Sequence, residues 1–379
     1  MRRFIVTAAV LLGVVAAGAV IVVSTGLVPA KASSRHWAIT NAILHFAMQR
    51  SVATHAPDGP LPGLDDPALV ARGAGHYHSA CLPCHGSPER GYFPRVAFGM
   101  TPPPPFLPDQ IDHWEPEELF FIVKHGVKFT GMPAWPSQAR DDEVRAMVAF
   151  LRVLPELDAE RYRALAHGEV AGEVASAASL DSFGATPTKR ALVLSCARCH
   201  GEDGQGRGGA SPRLAGQQPE YMLNALEAYA RGGRHSGIMQ PVANGLGEEA
   251  RRYLAEHYGA MSGGGARDER RLRGGGAEPE AIARGERIAL RGVPEKGVPS
   301  CADCHGPDRP PRNPAYPLLA GQYADYLVAQ LELFKKKTRG GSPFAHLMEP
   351  VAERLTPEEM RDVAAFYASL PAPESLRVP

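Results

Sequence analysis

The sequence lacks a net charge: 41 Lys+Arg stand against 41 Asp+Glu in 379 residues. A nucleic-acid binder would carry a basic excess or a basic stripe, so nucleic acid is excluded as a partner. Aromatic residues are sparse, at 7%, which is thin provision for several self-sufficient cores. No cysteine stands alone. All six fall in three copies of one five-residue pattern, so none is left for a disulfide scaffold or a lone reactive thiol. Glycine and proline, by contrast, are plentiful at 40 and 35, and loops should be abundant. Length alone fits two to three domains.

The N-terminus reads as a membrane address. Arg2 and Arg3 precede an uncharged run from Phe4 to about Ala30, whose apolar core, Phe4 to Val23, is long enough to cross a bilayer as a helix. The arginines stay inside, which places the rest of the chain on the periplasmic side of the inner membrane. Two readings stand. The run is longer than a usual signal-peptide core, which favours a retained anchor. Ala30-Lys31-Ala32 resembles a small-residue cleavage site, which would leave a soluble periplasmic protein. Ser33 to Gln49, with Trp37, Ile43, Leu44, Phe46 and Met48, reads as a short helix. It lies either at the headgroups or on the first domain. A Pro/Gly-rich link, Pro57 to Pro67, follows.

Three similar units come next. Cys196-Ala197-Arg198-Cys199-His200 aligns with Cys301-Ala302-Asp303-Cys304-His305 at an offset of 105. Leu214-Ala215-Gly216-Gln217 meets Leu319-Ala320-Gly321-Gln322 at the same offset, as Tyr221 meets Tyr326. After a short insertion, Met239-Gln240-Pro241-Val242-Ala243 aligns with Met348-Glu349-Pro350-Val351-Ala352, and Tyr258 with Tyr367. These two units are a duplication. The first diverges but keeps the order of parts. Ala71-Arg72-Gly73 precedes its motif, as Ala283-Arg284-Gly285 precedes the third, and a closing helix over Asp141 to Leu154 places Val144, Met147, Val148 and Leu151 on one face. The expected organisation is a signal or anchor over 1–32, a juxtamembrane segment over 33–60, and domains over 61–165, 186–262 and 280–373. Linkers over 166–185 and 263–279 join them.

Each Cys-x-x-Cys-His motif has the pattern of covalent c-type haem attachment. Two thiols add to the haem vinyl groups, and the adjacent histidine becomes the proximal iron ligand. The motifs are Cys81, Cys84 and His85; Cys196, Cys199 and His200; Cys301, Cys304 and His305. A zinc ribbon does not require the following histidine, and a redox Cys-x-x-Cys is not tripled. Three haem c groups would also supply the apolar volume that the sparse aromatics leave missing.

Through these motifs the chain resembles the class I cytochrome c family over roughly residues 65–372. The second and third units resemble its tandem dihaem members through Leu-Ala-Gly-Gln and Met-x-Pro. The first resembles single domains of respiratory cytochrome c subunits through Lys124-His125-Gly126 and Thr130-Gly131-Met132-Pro133-Ala134-Trp135. The resemblance implies an all-α fold of three small tandem domains and a distal methionine at each iron. Met132, Met239 and Met348 follow their histidines by 47, 39 and 43 residues, each close to a proline. That reading sets them in fixed irregular backbone. Met147, Met222, Met261 and Met360 lie at apolar helical positions and read as core. Met100 is the rival in the first unit, and His125, His235 and His346 are rivals of another type. The family further implies that Pro212 and Pro317 offer carbonyls to the proximal histidines, that Tyr221 and Tyr326 lie near haem or in the core, and that Arg213 balances a propionate.

Filled axial positions leave no easy place for a substrate, so the expected function is single-electron transfer. The expected partners are a dehydrogenase, a soluble cytochrome or a terminal oxidase, with the membrane contacted through the N-terminal helix. The alternative from another class is a haem enzyme, of peroxidase or thiosulfate-oxidising type, with one labile iron position.

Overall fold

A computed structural model describes residues 2–27, 31, 33–91, 97–168, 188–207, 209–263, 276–307 and 313–372. Among these residues there are helices, turns and three isolated bridges but no strand. The fold is all-α, as expected. Most of both expected linkers lies outside the described residues.

The apolar N-terminal run forms α1, Arg2–Thr25, exposed along its whole length. The next helix, α2, spans Ala38–His55 and so runs past the expected Gln49. Its two ends live in different surroundings. Trp37, Ile39, Ile43 and Phe46 are exposed. Val52 is buried, and His55 stacks on Phe121 with ring centroids 5.9 Å apart.

The first domain is built on two crossing helices. Asp66 caps α3, Pro67–His76, by accepting from Ala68 N at 2.9 Å, and Pro67 sits at the first helical position, where its missing N–H costs nothing. The closing helix α6, Asp141–Val153, begins with three acids that favour a helix N-terminus. Between them lie α4, Leu82–His85, and α5, Pro116–His125. Gly73 makes the crossing possible, since a Cβ there would run into the Ala146 carbonyl and Phe150. The buried core comprises Tyr77, Leu119, Phe120, Val144, Met147, Val148, Phe150 and Leu154 among others. A further helix, α7, Ala159–His167, buries Tyr162, Ala166 and His167 against α3. Helix α7 thus runs two residues past residue 165. The burial of that last turn was hidden in the sequence by the small, polar stretch that follows it.

The second domain holds α8, Lys189–His200; α9, Pro219–Ala230; α10, Met239–Asn244; and α11, Glu248–Gly259. Its buried cluster is small: Val193, Met222, Leu254, Ala255 and Tyr258. The third holds α12, Pro279–Arg291; α13, Ala302–His305; α14, Ala324–Lys335; α15, Met348–Arg354; and α16, Pro357–Ser369. A capping box between Thr356 and Glu359 starts α16. Gly285 lets α12 cross α16 as Gly73 lets α3 cross α6: a Cβ there would strike the Asp362 carbonyl and Phe366. Arg284 then pairs twice with Asp362, at 2.6 and 2.9 Å.

Candidate haem-binding sites

Each motif rides on a helix end and is cut off by a glycine. In the first domain a single π turn, Tyr77–Cys81, links α3 to α4, which carries Cys84 and His85. In the second, α8 runs unbroken through Cys196, Cys199 and His200. In the third, α13 follows Cys301. The next residues, Gly86, Gly201 and Gly306, have φ of 70°, 79° and 76°. Glycine enters this left-handed region without the Cβ penalty, and the chain turns away directly after each histidine. Two of these turns are pinned by buried phenols: Tyr77 donates to Gly86 O at 2.8 Å and Tyr367 to Gly306 O at 2.9 Å.

The three histidines share one geometry. His85 Nδ1 lies 2.9 Å from Pro105 O, His200 Nδ1 2.8 Å from Pro212 O, and His305 Nδ1 2.9 Å from Pro317 O. Each Nδ1–H donates to its proline carbonyl, so Nε2 keeps its lone pair and faces away. That is the tautomer an iron ligand requires. Burial lowers the pKa of all three imidazoles, against the opposing pull of the proline carbonyl, and keeps them neutral. Pro212 and Pro317 stand where the resemblance put them. Pro105 was not anticipated, because it follows its histidine by 20 residues where the other two prolines follow by 12. Burial pushes the Cys81 thiol up to about 12 and those of Cys196 and Cys301 up to about 11. Before haem attachment these sulfurs are neutral thiols.

Met132, Met239 and Met348 are all half-buried. Met132 lies in irregular backbone, where its N–H bonds Thr130 Oγ1 at 3.1 Å. Met239 and Met348 differ from expectation, since each is the first residue of a short helix, α10 or α15. The prolines two residues on, Pro241 and Pro350, fall in the first helical turn, where no intrahelical N–H is needed. The neighbouring proline thus marks a helix start, not irregular backbone, at these two sites. Met100 lies close to the Met132 segment, with its sulfur packed against Gly131. His125, His235 and His346 are exposed. Met147, Met222 and Met360 are buried core residues, and Met261 packs on the second core.

The duplicated domains face each other with their bonds repeated at the sequence offset. Gln217 Nε2 donates to Leu318 O at 3.0 Å and Gln217 Oε1 accepts from Leu318 N at 2.8 Å. The image pair is Gln322 with Arg213, at 3.0 Å in both directions. Arg339 donates to Tyr221 and Arg234 to Tyr326, at 2.9 and 3.2 Å. The tyrosines expected near haem or in the core thus sit at a domain interface. Arg213 spends guanidinium hydrogens on Gly263 O and Ala320 O. Arg234 and Arg339 were missed, although they too stand 105 residues apart.

The first domain joins the second through a buried carboxylate. Glu143 accepts from Ser236 Oγ and Gly237 N, both at 2.5 Å, and from Trp135 Nε1 at 3.3 Å. Ser236 Oγ in turn accepts from Met239 N at 2.9 Å. One carboxylate therefore ties the segment after Met132 to the segment before Met239. Arg140 completes the junction, donating to His235 O at 2.9 Å and to Asp142. At a second contact α3 meets the haem motif of α8: a Cβ on Gly75 would lie 2.9 Å from Cys199 Sγ.

The donor sets fit haem c. Each domain offers two thiols within one helical turn and a neutral imidazole with Nε2 free. The interface between the duplicated domains adds Arg234 and Arg339, which among the described residues make no ion pair with a carboxylate. A buried guanidinium without an anion is costly, and haem propionates would supply that anion.

The comparisons with known proteins agree. The family described as cytochrome c oxidase, cbb3-type, subunit III matches residues 68–151, and the cytochrome c family matches residues 187–256 and 282–371. A thiosulfate dehydrogenase electron acceptor from Thiomonas intermedia is 37% identical over 191 residues, covering 50% of this chain and 83% of that protein. Cytochrome c4 from Thiocapsa roseopersicina is 32% identical, covering 46% and 86%. A solved cytochrome c4 from Acidithiobacillus ferrooxidans, 33% identical, covers 46% of this chain and 98% of its own, with a TM-score of 0.39. The chain belongs to the class I cytochrome c family. It is a c-type cytochrome and an electron carrier.

Proposed function

We propose that this chain holds three haem c groups and relays single electrons along the periplasmic face of the inner membrane. The carrying observation is the threefold recurrence of one unit: two cysteines, a histidine with Nδ1 bound to a proline carbonyl, and a half-buried methionine downstream. The proposed axial pairs are His85 with Met132, His200 with Met239, and His305 with Met348. Haem c supplies a one-electron Fe(III)/Fe(II) couple. The chain's own residues do the rest. The proline carbonyls orient the imidazoles, the thioethers favour the reduced iron, and the buried surroundings exclude water.

The proposed electron donor is a dehydrogenase. Two relatives are named electron acceptors of thiosulfate dehydrogenase, so an enzyme of that class is the first donor to test. A soluble cytochrome or a terminal oxidase would take the electrons onward. Intact mass and a pyridine haemochrome assay should give three haems per chain, and a redox titration should need three electrons per molecule. A count of two would remove one motif from the proposal. Stopped-flow reduction by a thiosulfate dehydrogenase tests the donor separately.

A further inference from the structure

One cluster in the first domain serves neither the haem motif nor the core. His78 sits in the π turn, three residues before Cys81. Glu89 lies in the turn between Ser87 and Gly91, just after the motif. His167 is the last residue of α7. The three come together with one ligand atom from each, all within 4.8 Å of one another. The two imidazole rings lie 4.1 Å apart at 72°. Both histidines are more than nine-tenths buried, at 8% and 4% exposure.

The hydrogen bonding of the cluster is incomplete in a telling way. His78 Nδ1 is engaged with the Tyr162 hydroxyl at 3.1 Å, which leaves its Nε2 for another partner. Glu89 Oε1 pairs with Arg163 Nε at 3.0 Å. Glu89 Oε2 and His167 Nδ1 are buried with no hydrogen-bond partner. Buried acceptors of this kind are rare in folded proteins, because water has been removed and nothing put in its place. Burial also lowers the pKa of both imidazoles, His78 to about 3 and His167 to about 4, so they present the neutral form that binds metals.

We propose that His78, Glu89 and His167 form a zinc site, with two imidazoles and one carboxylate as protein ligands and a fourth position for water. This set matches the open type of zinc coordination. A tetrahedral zinc holds its ligand atoms about 3.3 Å apart, so the trio closes slightly on binding. Arg90, Arg163 and Arg198 lie near enough to disfavour positive charge on these histidines, so any cation must bind through its ligand bonds. A hard ion such as Ca2+ or Mg2+ depends on several carboxylate oxygens and meets only one here. Zn2+ gains from the imidazoles themselves. The Tyr162 hydroxyl acts as the outer partner that fixes the His78 ring. Because the three ligands come from before the motif, after it and the end of α7, a bound ion would clamp α7 over the first haem attachment site. Arg198, beside Cys199, donates to Ser79 Oγ at 2.6 Å, so the clamp lies against the second domain as well.

The test uses the full haem-loaded protein in detergent, stripped of free metal and titrated with Zn2+ by calorimetry. Bound zinc is counted by mass spectrometry after dialysis. The expected result is one tight equivalent in the wild type, lost or weakened at least tenfold in His78→Ala, His167→Ala and Glu89→Gln. The haem spectrum of each variant reports whether its first domain has folded. If the wild type takes up no zinc, or the variants bind it unchanged, the site is refuted. Zinc X-ray absorption on the wild type needs no variant. Two imidazoles with light oxygen ligands would support the assignment, and a sulfur-bearing or oxygen-only shell would overturn it.

Discussion

At the scale of single residues, the proposed methionine ligands make the sharpest prediction. Changing Met132, Met239 or Met348 singly to Leu should each remove about one third of the sulfur–iron charge-transfer absorbance of the oxidised protein. The corresponding redox step should shift to lower potential, since the thioether that favours ferrous iron is gone. Met100→Leu is the control, because its sulfur also packs beside Gly131. If Met100→Leu removes the band and Met132→Leu does not, the ligand in the first domain is Met100. The covalent part of each site was legible in the sequence because five contiguous residues carry it. The carbonyl that orients each histidine was foreseen only through the family resemblance, at Pro212 and Pro317. Pro105 lay hidden in a run of four prolines. Glu143 was unreadable for another reason. At the start of a helix an acid reads as a favourable first-turn residue, and nothing local says that Ser236 and Gly237 will fold onto it.

At the scale of helices, two crossings set the first and third domains. Gly73→Ala and Gly285→Ala should each destabilise the host domain by about 1–3 kcal/mol. Helix propensity alone would favour alanine by about 1 kcal/mol. Packing decides the sign, because the obstacle is a backbone carbonyl of the facing helix that cannot swing aside. Thermal melts of the haem-loaded variants check this, and Gly247→Ala, where a Cβ meets nothing, should cost less, about 0.5–1 kcal/mol, for the poorer helix N-cap alone. The first domain's closing helix was readable from its apolar periodicity, whereas the crossings were not, although Ala-Arg-Gly recurs at both. By contrast α7 was missed because its buried Tyr162, Ala166 and His167 make too short a pattern to stand out. Helix α6 also carries an acid-sensitive joint. Burial would raise the Asp142 carboxyl, but the two hydrogen bonds it accepts from Arg140 and that residue's charge hold it below the ordinary range. A depressed carboxylate contributes stability above its unfolded value, about pH 4, and that stability is lost as pH falls through the lower folded value. The share of the junction that Asp142 secures through Arg140 should therefore hold from pH 7 to about 4 and be lost below it, whereas Glu143, raised by burial, protonates before Asp142 as pH falls. Asp142→Asn should cost about 1.5–3 kcal/mol at pH 7 and flatten that acid limb, as read from melting temperature against pH.

At the scale of the whole molecule, the duplicated pair and the N-terminal helix set where electrons can go. The mirrored bonds of Gln217 and Gln322 make the second and third domains a fixed unit, and Glu143 fastens the first domain to it. Joined in this way, the three domains need a tether at only one point, and α1 offers it. Twenty-four residues of helix span about 36 Å, enough for the roughly 30 Å hydrocarbon core of a bilayer. None of its residues is buried against the domains. An apolar helix left bare in water would form an exposed patch far larger than soluble proteins carry, so either lipid covers α1 or processing removes it. A retained anchor predicts that the mature chain sediments with membranes, resists a high-salt wash and comes free in detergent. Its intact mass would then include residues 1–32 and the haems. Replacing residues 1–32 with a cleavable export signal should release a soluble protein with the same haem spectrum and the same redox steps. If the unmodified chain is already soluble, with its N-terminus just after Ala32, the helix is a signal peptide, and the relay must meet its partners by diffusion.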